Sequence, residues 1–167
     1  IMRHHLKFIA IALCCLMGAP SLMAQSVSTI SVDGEVLRPL HLSVKDIEKL
    51  HPVELKAKDK AGKEHTYRGA MLASVLDSAG VTLGADLRGE NLAKYVSIKA
   101  VDGYEVLFSL VEVDPEFSSQ QVLLATMVDG NPLPPGEGPF RIVAPQEKKP
   151  TRWIRAIVSI QVKSARK

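Results

Sequence analysis

Short strand-like runs outnumber helical ones and sit in neighbouring pairs. This predicts an α+β fold built from mixed, mainly antiparallel sheets with a few short helices. Two Asp-Gly turns, Asp33-Gly34 and Asp102-Gly103, carry the hairpin signal, and one clear helical period runs from Leu72 to Ala79. No internal repeat of about twenty to fifty residues is present, so solenoids and propellers drop out. With 46% hydrophobic and 23% charged residues, the chain is globular in composition rather than disordered, collagenous or coiled-coil.

The first element is a leader. Arg3, His4, His5 and Lys7 precede an uncharged apolar run from Phe8 to Gly18, and Ala24 offers a small residue just before Gln25. This is the pattern of a secretory signal peptide, predicted to be cleaved after Ala24, and the run is too short to span a bilayer comfortably. Residues 25–167 then form one domain of ordinary size, expected in a periplasm. Without Arg3 and Lys7, 19 basic residues face 18 acidic ones, which offers no electrostatic basis for nucleic acid as a partner. Both cysteines, Cys14 and Cys15, lie in the leader. Bulky Leu13 before Cys14 argues against a lipidated cysteine. The exported chain therefore lacks any residue for disulfides, thiolate catalysis, zinc-thiolate sites or iron–sulfur clusters.

Val27 to Val32 reads as a strand that turns at Asp33-Gly34 into a second, Val36 to Leu42. Ser43, with Asp46 three residues on, reads as an N-cap opening a short helix through Ile47 and Leu50 that Pro52 ends. Val53 to Lys58 alternates apolar and basic residues as a half-exposed strand, and Asp59 to Lys63 is its turn. Ala70 to Ala79 is predicted helical, stopped by Gly80. The polar stretch from Leu83 to Lys94 suggests a further short helix. Tyr95 to Ala100 and Tyr104 to Phe108 pair across Asp102-Gly103, and Ser109 caps a turn ended by Pro115. Val122 to Val128 is an apolar, buried strand, followed by the turn Asp129 to Pro132. Phe140 to Ala144, a basic loop from Pro145 to Arg152, and Ile154 to Val162 complete the set, with Lys163 to Lys167 as a solvated tail.

Little of this supports a catalytic centre. His41, His51 and His65 lack metal-ligand spacing and read as surface residues, and no Gly-x-Ser-x-Gly elbow or glycine-rich phosphate loop occurs. Glu112, Asp114 and Glu116 read as the polar side of a turn. The densest chemistry lies between Phe140 and Arg155. There the only tryptophan, Trp153, stands beside Arg152 and Arg155, behind Lys148 and Lys149 and after the strand carrying Arg141. Such a set suits an anionic or planar heteroaromatic ligand, and equally a tryptophan in the core with solvated cations around it.

The ordered motifs resemble the molybdopterin-binding domain of the sulfite oxidase family. They are Tyr67-Arg68-Gly69 before the helix, Asp102-Gly103-Tyr104, Phe108-Ser109-Leu110, Val122 to Ala125, Asp129-Gly130, Gly138 to Val143 with Pro145, and Arg152-Trp153-Ile154-Arg155. The resemblance implies that family's α+β fold and a pterin site at the Arg141 strand and the Lys149 to Trp153 loop. It also implies a molybdenum-ligating cysteine in the strand that corresponds to about Val53 to Lys58, where this chain has none. The expectation is thus an exported, non-catalytic protein that binds a pterin, molybdopterin included, with no metal. By analogy with small secreted relatives, it would regulate the periplasmic domain of an inner-membrane signalling protein, such as one of cyclic-di-GMP signalling. Candidate ligand contacts are Tyr104, Arg141, Lys149, Arg152 and Trp153, with Asp102, Glu112 and Glu147 as candidate acceptors for the ring N–H groups. The alternatives are an oxidoreductase in which another group replaces the cysteine, and a ligand-free adaptor.

Overall fold

The computed structural model describes residues 29–166, so the leader and its cysteines lie outside the described residues. Among the described residues, ten strands form two sheets. In the first, β1 (Thr29–Gly34), β2 (Leu40–Ser43), β5 (Lys94–Ala100), β6 (Glu105–Ser109) and β10 (Ile157–Ser164) run in the order β2-β1-β10-β5-β6. Only β1 and β10 pair in parallel within it. In the second, β3 (Val53–Lys58), β4 (Glu64–Met71), β7 (Leu123–Val128) and β8 (Asn131–Pro132) follow one another, and β9 (Arg141–Val143) pairs with β7. The helices are α1 (Val44–Ile47), α2 (Leu72–Ser78) and α3 (Leu110–Val113). This is the expected α+β architecture of mixed, mainly antiparallel sheets.

Local chemistry explains the short helices. Ser43 Oγ accepts from the Asp46 N–H while Asp46 reaches back to the Ser43 N–H, and Ser109 and Glu112 repeat the same reciprocal cap on α3. Helix α2 has no side-chain cap. The Leu72 N–H instead donates to the Val122 carbonyl (2.8 Å), so a strand neighbour starts the helix. Ala70 and Met71, expected in the helix, remain in β4 because they pair with Leu124 and Leu123.

Three other expectations shift. Asp33-Gly34 is not a tight hairpin turn: Glu35 N–H donates to the Val162 carbonyl (2.9 Å), the chain loops out, and β2 begins at Leu40. Gly34 has φ +91°, and a Cβ there would lie 2.1 Å from the Val162 carbonyl oxygen. Leu83 to Lys94 forms two short 3-10 helices rather than one helix, each opening at a positive-φ glycine, Gly84 and Gly89. At the tail, Lys163 and Ser164 stay in β10, paired with Tyr95 and Lys94.

The alternation of β7 sorts residues between two apolar clusters. Leu124 and Ile142 face the main core, with Ile30, Ile98, Phe108 and Ile160 of the first sheet and Val75 and Leu76 of α2. Leu123, Ala125 and Val143 face the other way, where they pack with Ala57, Tyr67, Ala144 and Trp153. This smaller cluster is the floor of the site.

Candidate functional site

Two cavities meet at Trp153. The first, about 770 Å³, is lined by the β3–β4 turn (Asp59, Lys60), His65 and Tyr67 of β4, Asp102 and Tyr104 of the β5–β6 turn, Glu137, Arg141, and Trp153 to Ala156. The second, about 780 Å³, lies between the β3–β4 hairpin and the loop after β9, with Lys56, Lys58, Lys60, Lys148 and Lys149 around Ala57, Glu147 and Trp153. Asp59, Lys60, Pro150, Thr151 and Trp153 border both, so the pair forms one continuous recess.

The indole is part of the structure as well as its wall. Trp153 is 6% exposed, its Nε1–H donates to the Ala144 carbonyl (3.1 Å), and it meets Tyr67 edge to face at 6.0 Å. The Arg141 guanidinium lies 5.7 Å from the indole centroid and 5.4 Å from that of Tyr67. With Arg141 over it, the indole closes the recess rather than lying open as a stacking platform. The more open aromatic is Tyr104, 52% exposed, whose Oη donates to the Thr151 carbonyl (3.0 Å) and ties the β5–β6 turn to the opposite rim.

Of the expected ligand contacts, Tyr104, Arg141 and Trp153 line the first cavity, and Lys149 and Trp153 the second. Arg152 lines neither. Its guanidinium lies 4.1 Å from the Phe108 ring centroid, and it donates to Glu147 (Nε, 2.7 Å), to Glu112 (Nη2, 3.1 Å) and to the Leu107 carbonyl (2.8 Å). It is a brace between β6, α3 and the loop after β9. Arg152→Ala strands Glu147, whose side chain is only 11% exposed, and is expected to lower stability by about 2–3 kcal/mol. An unchanged urea midpoint would contradict this role.

Among the expected acceptors, Asp102 borders the first cavity and Glu147 the second, while Glu112 is occupied as a helix cap. Glu147 Oε2 is buried without a partner. Asp114 is buried rather than on the polar side of a turn, accepting from the Gly84 and Glu116 N–H groups.

Sequence reasoning missed three members of the site. His41 and His51 are exposed as expected, but His65 lies between Asp129 (Nδ1 to Oδ2, 2.6 Å) and Asp59 (Nε2 to Oδ2, 3.5 Å), its side chain 16% exposed. The His65 and Thr66 contacts hold the Asp129 carboxyl below its usual range, and the Lys63 N–H, with Ala61 and His65, does the same for Asp59. Tyr67, quoted only as part of a motif, is 2% exposed, and burial pushes its phenol up. Glu137, which pairs with Arg141, carried no sequence signal at all.

The chain matches the family model described as the oxidoreductase molybdopterin binding domain over residues 18–167. It belongs to that family. The fold agrees: the sulfane dehydrogenase SoxCD from Paracoccus pantotrophus superposes with a TM-score of 0.65 at 17% identity, covering 85% of this chain and 40% of that one. This chain therefore spans less than half the length of that protein. No curated protein matches the sequence.

The cofactor named by that family has a pterin portion and a metal-bearing portion. The pterin portion fits the residues present. Arg141 Nε is buried without a partner in the wall of the recess, lysines surround the second cavity, and Asp102 and Tyr104 supply an acceptor and an aromatic rim. The metal portion finds no buried side-chain donor in β3, the strand where the resemblance implied a cysteine; its one carboxylate, Glu54, is exposed and lines neither cavity. Its one buried residue, which also lines the second cavity, is Ala57, 5% exposed, and a methyl group cannot ligate. Among the described residues no group of three or more His, Cys, Asp or Glu is placed to hold a metal.

Proposed function

We propose that this molybdopterin-binding domain is an exported pterin-binding protein that performs no oxo transfer. The observation that carries the reading is Ala57, an apolar residue in the strand where the catalytic pattern calls for a thiolate. A pterin supplies a planar ring with donors and acceptors on its edge. Tyr104 flanks it, Arg141 and Lys149 donate to its oxygens, Asp102 accepts from its amino and ring N–H groups, and Trp153 excludes water from behind. The charged, apolar leader supports export to a periplasm. The resemblance to small secreted relatives supports a reporting role toward an inner-membrane signalling protein, with cyclic-di-GMP signalling as the proposed setting.

The deciding experiment uses protein purified from the periplasm of cells that make the cofactor. It is denatured and assayed for molybdenum by elemental analysis and for released pterin by fluorescence and mass. The expected result is pterin without stoichiometric molybdenum. Molybdenum at near one per chain would overturn the reading in favour of an oxidoreductase with another ligand in place of the thiolate, which family membership by itself favours. Neither pterin nor metal would point to an adaptor.

A further inference from the structure

The arginine end of the first cavity already holds an anion of its own. Glu137 Oε2 accepts from Arg141 Nη1, and Glu137 Oε1 lies 3.3 Å from Arg155 Nη1, so one carboxylate bridges two guanidiniums. The backbone around it is tied at both ends. The Glu137 N–H donates to the Pro134 carbonyl (3.0 Å), and the Glu137 carbonyl accepts from the Ala156 N–H (2.9 Å).

Two guanidiniums converging on one point form a cradle suited to the oxygens of a phosphate, sulfate or carboxylate. The cradle here is only partly satisfied, because Arg141 Nε is buried without a partner. The exposure of the three side chains is unequal. Arg141 is 13% exposed, with its guanidinium near Tyr67 and Trp153, whereas Glu137 is 27% exposed and Arg155 is 57% exposed. The carboxylate thus borders water, whereas the Arg141 guanidinium is enclosed by the two rings.

We infer that Glu137 is an internal counter-ion occupying an oxyanion site formed by Arg141 and Arg155, and that it determines which ligands this end of the cavity accepts. A phosphoryl group enters by displacing Glu137, whereas a neutral ligand enters past it. Removing the carboxylate converts a cradle of net charge about +1 into one of about +2 and raises its affinity for dianions. The inference holds whether or not the heterocycle bound beside it is a pterin.

The test compares the full exported chain with Glu137→Gln, using inorganic phosphate and phenyl phosphate as probes in calorimetric titrations and thermal melts. Glu137→Gln is expected to bind at least one probe about tenfold or more tighter than the unsubstituted chain, with a larger phosphate-dependent rise in melting temperature. Adding Arg155→Ala, a largely exposed position, is expected to abolish the gain. A gain for both probes identifies a site for free phosphate, and a gain for phenyl phosphate alone identifies one for a ligand-borne phosphoryl group. Should Glu137→Gln fail to fold, Glu137→Asp is measured instead. Its shorter side chain cannot span both arginines, and an intermediate gain is expected. Affinity for both probes no higher in the folded variant than in the unsubstituted chain would overturn the inference.

Discussion

Trp153→Ala is expected to remove pterin binding and to cost about 3–5 kcal/mol of stability together. The indole is buried against Tyr67, Ala144 and Arg141, and truncating such a side chain leaves a cavity as well as losing its transfer free energy. The same truncation removes the wall that the two halves of the recess share at Trp153 and lets water behind any ligand. The two effects separate with Trp153→Phe. That variant keeps an aromatic wall but loses the Nε1–H donation to the Ala144 carbonyl, at about 1 kcal/mol. It is expected to stay folded and to retain pterin binding within a few fold, read from pterin fluorescence in equilibrium dialysis. A folded Trp153→Ala protein with undiminished pterin affinity would remove Trp153 from the site. The Arg141→Gln variant then becomes the measurement of choice, since Arg141 also lines the cavity.

Gly69→Ala is expected to destabilise the domain by about 3 kcal/mol or more, although it adds one methyl group and touches no ligand. Gly69 sits where the register of β4 against β7 shifts, opposite Ala125. A Cβ there would lie 2.0 Å from the Leu124 carbonyl oxygen and 2.7 Å from Ala125 Cα. Both are backbone atoms of a central strand, so no side chain can rotate away and the strands must part. Tyr67, two residues earlier on β4, and Ala125 on β7 both belong to the floor of the site, so the strain reaches the cavity. The expected readout is a lowered urea midpoint with an unchanged slope. A midpoint equal to that of the unsubstituted chain would contradict the close approach.

What could be read without coordinates follows the range of the interaction that encodes it. The Ser43 and Ser109 caps, the Asp102-Gly103 turn and the strand Val53–Lys58 were legible because each depends on neighbours within a few residues. The boundary of α2 was misplaced because its first N–H bonds to Val122, fifty residues along the chain, and local periodicity carries no trace of that partner. Arg141, Lys149 and Trp153 were marked from their chemistry and Tyr104 through the family resemblance, and all four border the recess. Arg152, marked for the same reason, is turned into a brace by Glu112, forty residues away.

By itself, the sequence determined the fold class, the family pattern and the lack of any cysteine in residues 25–167, since alternation, turn chemistry and residue identity are properties of the chain. Only the tertiary structure decided that Ala57 of β3 lines a cavity, that His65 meets Asp129 sixty-four residues on, and that Glu137 fills the cradle of Arg141 and Arg155. The reason is physical. A site is made where separate strands and loops converge, and which side chains meet there is set by sheet register and packing, which no local pattern records.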